Sequence, residues 1–97
     1  MLLKLGVSIA RLIRQCRRAL SLIDALYAVF AEEAVVTSTY EGSHAPGSLH
    51  YSNAAFDVRL SKTPPSVVLD RIKKALGKDF DVVLHGDHFH IEYDPKG

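Results

Sequence analysis

Five histidines lie among 97 residues, and four of them fall close to acids. In the stretch Ser48 to Asp57, read SLHYSNAAFD, His50 stands seven residues before the carboxylate of Asp57. The residues from Ala55 to Leu60 alternate as a half-buried strand does, so Ala55, Asp57 and Arg59 share one face. Ser52 and Asn53 favour a bend ahead of that strand. Such a bend can return His50 to the side of Asp57. Imidazole nitrogen and carboxylate oxygen are both good ligands for a divalent ion such as zinc. Two ligands are too few for a tight site, so a third must come from elsewhere.

The donor nearest to hand is the run His85 to Tyr93, read HGDHFHIEY. On a strand His88 and His90 point the same way, while Phe89, Ile91 and Tyr93 point into a core. Phe80 to Leu84 also reads as a strand, and Gly86-Asp87 between the two is a pair that suits a two-residue hairpin. That register sets His85 opposite His88, on the face of His90. His50, Asp57 and His90 then form a three-ligand set with one position left for water, the feature that separates catalytic from structural zinc sites. His85, His88 and His90 can also form an adventitious metal-binding patch without His50 or Asp57.

Taken together, Ser48-x-His50, Asp57 with Ala55 two before it, and Asp87-x-x-His90 within Asp-His-Phe-His resemble the zinc D-alanyl-D-alanine metallopeptidases. That family includes D-Ala-D-Ala carboxypeptidases and dipeptidases and phage endolysins that cut L-alanyl-D-glutamate bonds, and it shares its fold with the hedgehog signalling domain. The resemblance runs from about Val35 to Tyr93. It implies zinc held by His50, Asp57 and His90, with Asp87 as the catalytic acid/base and Ser48 beside the metal. It also implies a bacterial cell-wall peptide as substrate. Asn53 stands where the family usually has glycine, a change that left-handed backbone at Asn tolerates. In the stretch leading up to Ser48 no arginine matches the one many members use at the scissile carbonyl; Glu41, Ser43 and His44 are the nearest polar groups.

The elements that must position these groups read as an α+β domain spanning residues 1–97. The expected architecture is a small, mainly antiparallel sheet with helices packed on one side. Ile9, Leu12, Ile13, Cys16, Leu20, Ile23, Tyr27 and Phe30 recur at helical steps, so a scaffold helix is expected from Val7 or Ser8, with Ser8 as N-cap and a solvated basic face. Cys16 is the only cysteine, which excludes an internal disulfide and suits a buried thiol. Ala34 to Tyr40 reads as the first strand and Glu41 to Ser48 as a loop. Thr63 is expected to cap a second helix, with Pro64 at its first position and Gly77 at its end. Val68, Leu69, Ile72, Ala75 and Leu76 supply its buried stripe.

Twelve basic against eleven acidic residues give no expectation of a polyanionic partner, nucleic acid included. An Arg11 to Arg18 face that binds nucleic acid or an anionic membrane is the weaker alternative. Arginines interrupt the first apolar run too early for a secretory signal or a membrane span, so synthesis in the cytoplasm is expected, with the cell wall as a site of action. Asp87 can shuttle a proton, its pKa raised by desolvation and opposed by a nearby cation. His88 can donate a hydrogen bond to an oxyanion, Arg59 can pair with a substrate carboxylate, and Ser48 and His44 are further substrate contacts. The expected function is a zinc peptidase acting on peptidoglycan stem peptides. The alternative is a non-catalytic zinc module of the same fold that binds a partner. Metal analysis separates the ligand sets: zinc should be lost from His50→Ala, Asp57→Ala and His90→Ala and kept by His85→Ala, whereas the opposite pattern at His50 and His85 would establish the three-histidine patch.

Overall fold

The computed structural model describes residues 1–40 and 54–95. Five strands and two helices follow in the order β1 (Leu2–Leu3), α1 (Arg14–Val29), β2 (Val35–Tyr40), β3 (Ala55–Arg59), α2 (Pro65–Leu76), β4 (Phe80–Leu84) and β5 (His88–Tyr93). They make one sheet in the order β1-β2-β3-β5-β4. Three of its pairings are antiparallel and the β1–β2 pairing is parallel, so the sheet is mixed rather than wholly antiparallel. The polypeptide is thus a small α+β unit.

One apolar face of the sheet is covered by both helices. Val36, Phe56, Val58, Val82, Phe89 and Ile91 from the strands meet Cys16, Ala19, Leu20, Ile23 and Tyr27 of α1 and Val68 and Ile72 of α2. The strand residues alternate as a two-faced sheet requires: Phe89 and Ile91 are buried in the core, and His88, His90 and Glu92 between them face the other way. Tyr27 reaches across this core to donate a hydrogen bond of 2.7 Å to the carbonyl of Arg59, which ties α1 to the end of β3. Cys16 is buried, and burial pushes its thiol pKa up to about 11. That is an inert structural thiol, as expected from its place in the stripe.

The hairpin expected at Gly86-Asp87 is present. Leu84 lies opposite Phe89 and Val83 opposite His90, and the His85 N–H donates to the His88 carbonyl at 2.9 Å. The strand at Ala55–Arg59 also forms, although it is buried more deeply than a half-exposed strand because β2 and β5 flank it on both sides. Gly77 ends α2 with φ of 79°, a backbone conformation that glycine adopts without steric cost.

The helix starts differ from expectation. The first helix begins at Arg14, not near Val7 or Ser8, and Ser8 is not its N-cap. Ser8 is committed elsewhere: its hydroxyl accepts from the Ala10 N–H at 3.3 Å and its carbonyl accepts from Thr39 at 3.2 Å. Gly6, with φ of 87°, turns the chain out of the short strand β1 before the helix can start. The apolar positions Val7, Ile9 and Ile13 still pack on the core, from an irregular segment. In the second helix Pro65 is the first residue and Pro64 its cap position, one residue later than expected. Thr63 does not cap it. Its hydroxyl and N–H both donate to the Glu32 carboxylate, which also accepts from the Lys62 N–H. These bonds hold the Glu32 pKa below its ordinary value and fasten the β3–α2 connection to the end of α1. Ala75 is exposed rather than part of the buried stripe.

Leu20 is among the largest fully buried side chains, enclosed where α1 meets the sheet. Leu20→Ala should lower unfolding stability by about 2–5 kcal/mol in chemical denaturation. An unchanged denaturation midpoint would show that the N-terminal helix does not belong to the cooperative core.

Candidate metal centre

The sheet face away from the helices collects the chemistry-bearing residues. Asp57 in β3 lies directly opposite His90 in β5, and Arg59 lies opposite His88. Cross-strand neighbours have Cβ atoms about 4.5–5.5 Å apart, so these side chains meet without any special loop. The His90 Nδ1 is 2.8 Å from Asp57 Oδ1. The His88 Nε2 is 3.5 Å from Asp57 Oδ2, and its Nδ1 is 2.6 Å from Asp87 Oδ1. His90 Nε2 in turn lies 3.5 Å from Glu92 Oε1. The result is a line of alternating carboxylates and imidazoles, Asp87–His88–Asp57–His90–Glu92, laid across two strands and a turn. The His85 ring stands 5.0 Å from that of His88 and 6.2 Å from that of His90, centre to centre.

Asp57 is the one charged residue in the buried class among the described residues, only 4% exposed. A buried carboxylate is costly unless paired and hydrogen-bonded. Here two imidazoles face it. The bond to Asp57 is the main cause that raises the pKa of His90 above its ordinary 6.5, against an opposing effect of burial. A neutral imidazole carries a single N–H, so it can donate to only one of its two flanking carboxylates. With an acid at each nitrogen of both rings, full satisfaction calls for extra protons or for a metal cation. The 2.8 Å between Asp57 Oδ1 and His90 Nδ1 is a hydrogen-bond distance, and the pair would have to open to about 3.3–3.6 Å for both atoms to sit about 2.0–2.2 Å from one tetrahedral zinc.

Asp87 departs from expectation. Its side chain is 93% exposed, and the upward push of desolvation on its pKa is outweighed. The hydrogen bond from His88, and then the charge of that ring, hold its carboxyl below the usual range. Asp87 is therefore held in its carboxylate form, at some cost in basicity. Its backbone carbonyl accepts from the Leu60 N–H at 3.4 Å, which joins the hairpin turn to the end of β3.

Among the expected site residues, Asp57, His88 and His90 come together and Asp87 joins them through His88; Arg59 lines a cavity with Asp57, Asp87 and His88, whereas His90 borders a different one with Val83 and Glu92. His50, Ser48 and His44 lie outside the described residues, as do Glu41, Ser43 and Asn53. The cavity, about 500 Å³, is bounded by Asp57, Asp87, His88 and Arg59 together with Lys4, Thr37 and Ser38. Sequence reasoning missed the last three and Glu92. Glu92 was accessible, since it is two residues from His90 and must share its face. Ser38 was not. A bulge at Thr37 breaks the register between Val36 and Ser38, so Val36 enters the core while Ser38 lies opposite Asp57.

A second acidic group, Asp81, Glu92 and Asp94, places one carboxylate oxygen each within 4.8 Å of the others and could hold a metal ion. All-oxygen donors of this kind suit calcium or magnesium better than zinc. No protein-family model matches the chain, and no curated protein or solved structure is significantly similar to it.

The raised pKa of His90 has a signed consequence for metal-free protein. The pairing with Asp57 contributes stability that is fully present below the unfolded histidine pKa of about 6.5 and lost as pH rises through the higher folded value. NMR titration should find His90 above 6.5 in the wild type and lower in Asp57→Asn; equal titration in the two proteins would mean that the two side chains do not pair in solution.

Proposed function

We propose that this chain is a zinc-dependent peptidase that hydrolyses an amide bond in bacterial peptidoglycan stem peptides. The observation that carries the reading is the buried Asp57 carboxylate faced by His88 and His90 at the wall of an open cavity, with the exposed acid Asp87 on the far nitrogen of His88. Asp57 and His90 would hold the metal, with His50 as the third ligand on the strength of its spacing from Asp57. Zinc bound there supplies a Lewis acid for the scissile carbonyl and a water whose pKa falls to about 7.

The remaining work falls to side chains. Asp87, kept ionised by His88, takes the proton released by the attacking water and returns it to the leaving amine. The His88–Asp87 hydrogen bond of 2.6 Å orients that carboxylate, while 93% exposure leaves it open to the cavity and to solvent. The backbone contact between Asp87 and Leu60 fixes the turn that carries the acid. His88 lines the same cavity and could donate to a developing oxyanion through Nε2, whose contact with Asp57 is the longer of its two at 3.5 Å, with the bond to Asp87 kept. Removal of zinc by a chelator should abolish the activity and leave the fold, because the core lies on the opposite face of the sheet.

Asp87→Asn should retain zinc and cut peptide turnover by about 10²–10⁴-fold, the usual worth of general acid/base catalysis. The measurement is digestion of peptidoglycan stem peptides with mass-spectrometric identification of products, alongside metal analysis. Zinc-loaded wild type that cleaves no such peptide would overturn the peptidase reading in favour of a zinc module that binds a partner.

A further inference from the structure

We propose that the outward face of α1 docks this protein on an anionic lipid bilayer, with the metal-centre face of the sheet turned away from the membrane. The inference is independent of the peptidase reading, because the residues that carry it lie on the far side of the sheet from the site. Along α1 the buried residues Cys16, Ala19, Leu20, Ile23 and Tyr27 hold one face. The opposite face divides into two halves. Its first turns present Arg14, Arg17 and Arg18, all exposed. Its later turns present Ser21, Leu22, Ala25, Ala28 and Val29, also exposed and without a charge. At about 3.6 residues per turn both halves fall on one side of the helix, away from the core.

Neither half is explained by folding. The helix dipole disfavours cations in the first turn, and α1 has no acid there to offset its arginines. Arg14, Arg17 and Arg18 form no salt bridge with any described residue. The acid of α1, Asp24, sits at the flank of this face, 3.0 Å from the Met1 amino group. Val29 is 75% and Leu22 48% exposed, so both keep apolar area in water that docking would remove. Guanidinium forks that bond phosphate oxygens, beside aliphatic side chains that enter the acyl boundary, are the two halves of an interfacial helix. A soluble polyanion such as duplex nucleic acid would use the arginines and leave Leu22 and Val29 in water.

The net charge of +1 conceals a sorted distribution. Arg14, Arg17, Arg18, Arg71, Lys73 and Lys74 of the two helices stand against Asp24 and Asp70, and both helices pack on one face of the sheet. Asp70 is itself paired with Lys74 at 3.0 Å. The other sheet face bears Asp57, Asp81 and Glu92, with Asp87 at the hairpin turn. An anionic bilayer attracts the helix layer and repels the acidic face. Docking on α1 therefore leaves the metal centre open to the aqueous side. No helix among the described residues is long and apolar enough to cross a membrane, so α1 lies in the plane of the interface.

The test is sedimentation of the full chain with vesicles of phosphatidylcholine alone and of phosphatidylcholine mixed with phosphatidylglycerol. The protein should partition onto the anionic vesicles, stay free of the neutral ones, and be released by raised salt. Arg14→Gln with Arg17→Gln and Arg18→Gln should lower the partition about a hundredfold, at about fivefold per basic residue. Leu22→Ser with Val29→Ser should lower it about tenfold or more. All five positions are exposed, and the melting midpoint of each variant checks that the fold persists. The chain has no tryptophan, so Val29→Trp and Val83→Trp each place a single reporter, the first on the helix face and the second beside His90 on the site face. Brominated acyl chains should quench the first and spare the second. Equal partition onto neutral and anionic vesicles, unaltered partition in either multiple variant, or stronger quenching at position 83 would overturn the inference. Binding to duplex DNA with none to either vesicle would overturn it in favour of a nucleic-acid surface.

Discussion

A carboxylate placed in the middle of a sheet must be compensated, and the site face of this protein is arranged around that need. Asp57 sits in β3, the central strand, with β2 on one side and β5 on the other. Its burial leaves little water to solvate the charge, so cross-strand partners must do so. His90 directly opposite and His88 on the diagonal provide two imidazoles, and each in turn meets a further acid. The pairing of β3 with β5 thus serves two faces at once. On one face it brings Phe56, Val58, Phe89 and Ile91 into the core, and on the other it brings together the carboxylate and the histidines. A one-residue slip in register would exchange the two sets and ruin both.

Much of this was legible in the sequence because it depends on parity. Alternation assigns Asp57 and Arg59 to one face and Phe56 and Val58 to the other. The same rule separates His88 and His90 from Phe89 and Ile91, and Gly86-Asp87 sets the hairpin register. The cross-strand meeting of Asp57 with His90 follows from chemistry as well, since a carboxylate in an apolar strand implies a polar partner. Periodicity also located the buried stripe of α1, including Cys16, Leu20 and Tyr27.

The rest depends on contacts between distant parts of the chain, which local patterns do not report. Helical spacing from Ile9 to Ile13 is real, yet those residues pack from an irregular segment because β1 pairs with β2 and Gly6 turns the chain. Thr63 has the chemistry of a cap, but Glu32, 31 residues away, claims its hydroxyl. The bulge at Thr37 reverses the parity of β2 and brings Ser38 to the site. Lys4 reaches the cavity only because a two-residue strand docks beside that bulge. The pKa of Asp87 was misjudged for a related reason: its exposure and its bond to His88 depend on how the turn sits over the end of β3.

The central claim, that the Asp57–His90 pair is the heart of a zinc centre, is tested most directly by X-ray absorption at the zinc edge on protein loaded with one equivalent of the metal. Imidazole rings bound to zinc give outer-shell scattering that carboxylates do not. The account predicts a first shell of nitrogen and oxygen at about 2.0–2.2 Å with that imidazole signature. It also predicts loss of the signature when His90 is replaced together with His50. An oxygen-only shell with no imidazole scattering, as the Asp81, Glu92 and Asp94 group would give, would contradict it.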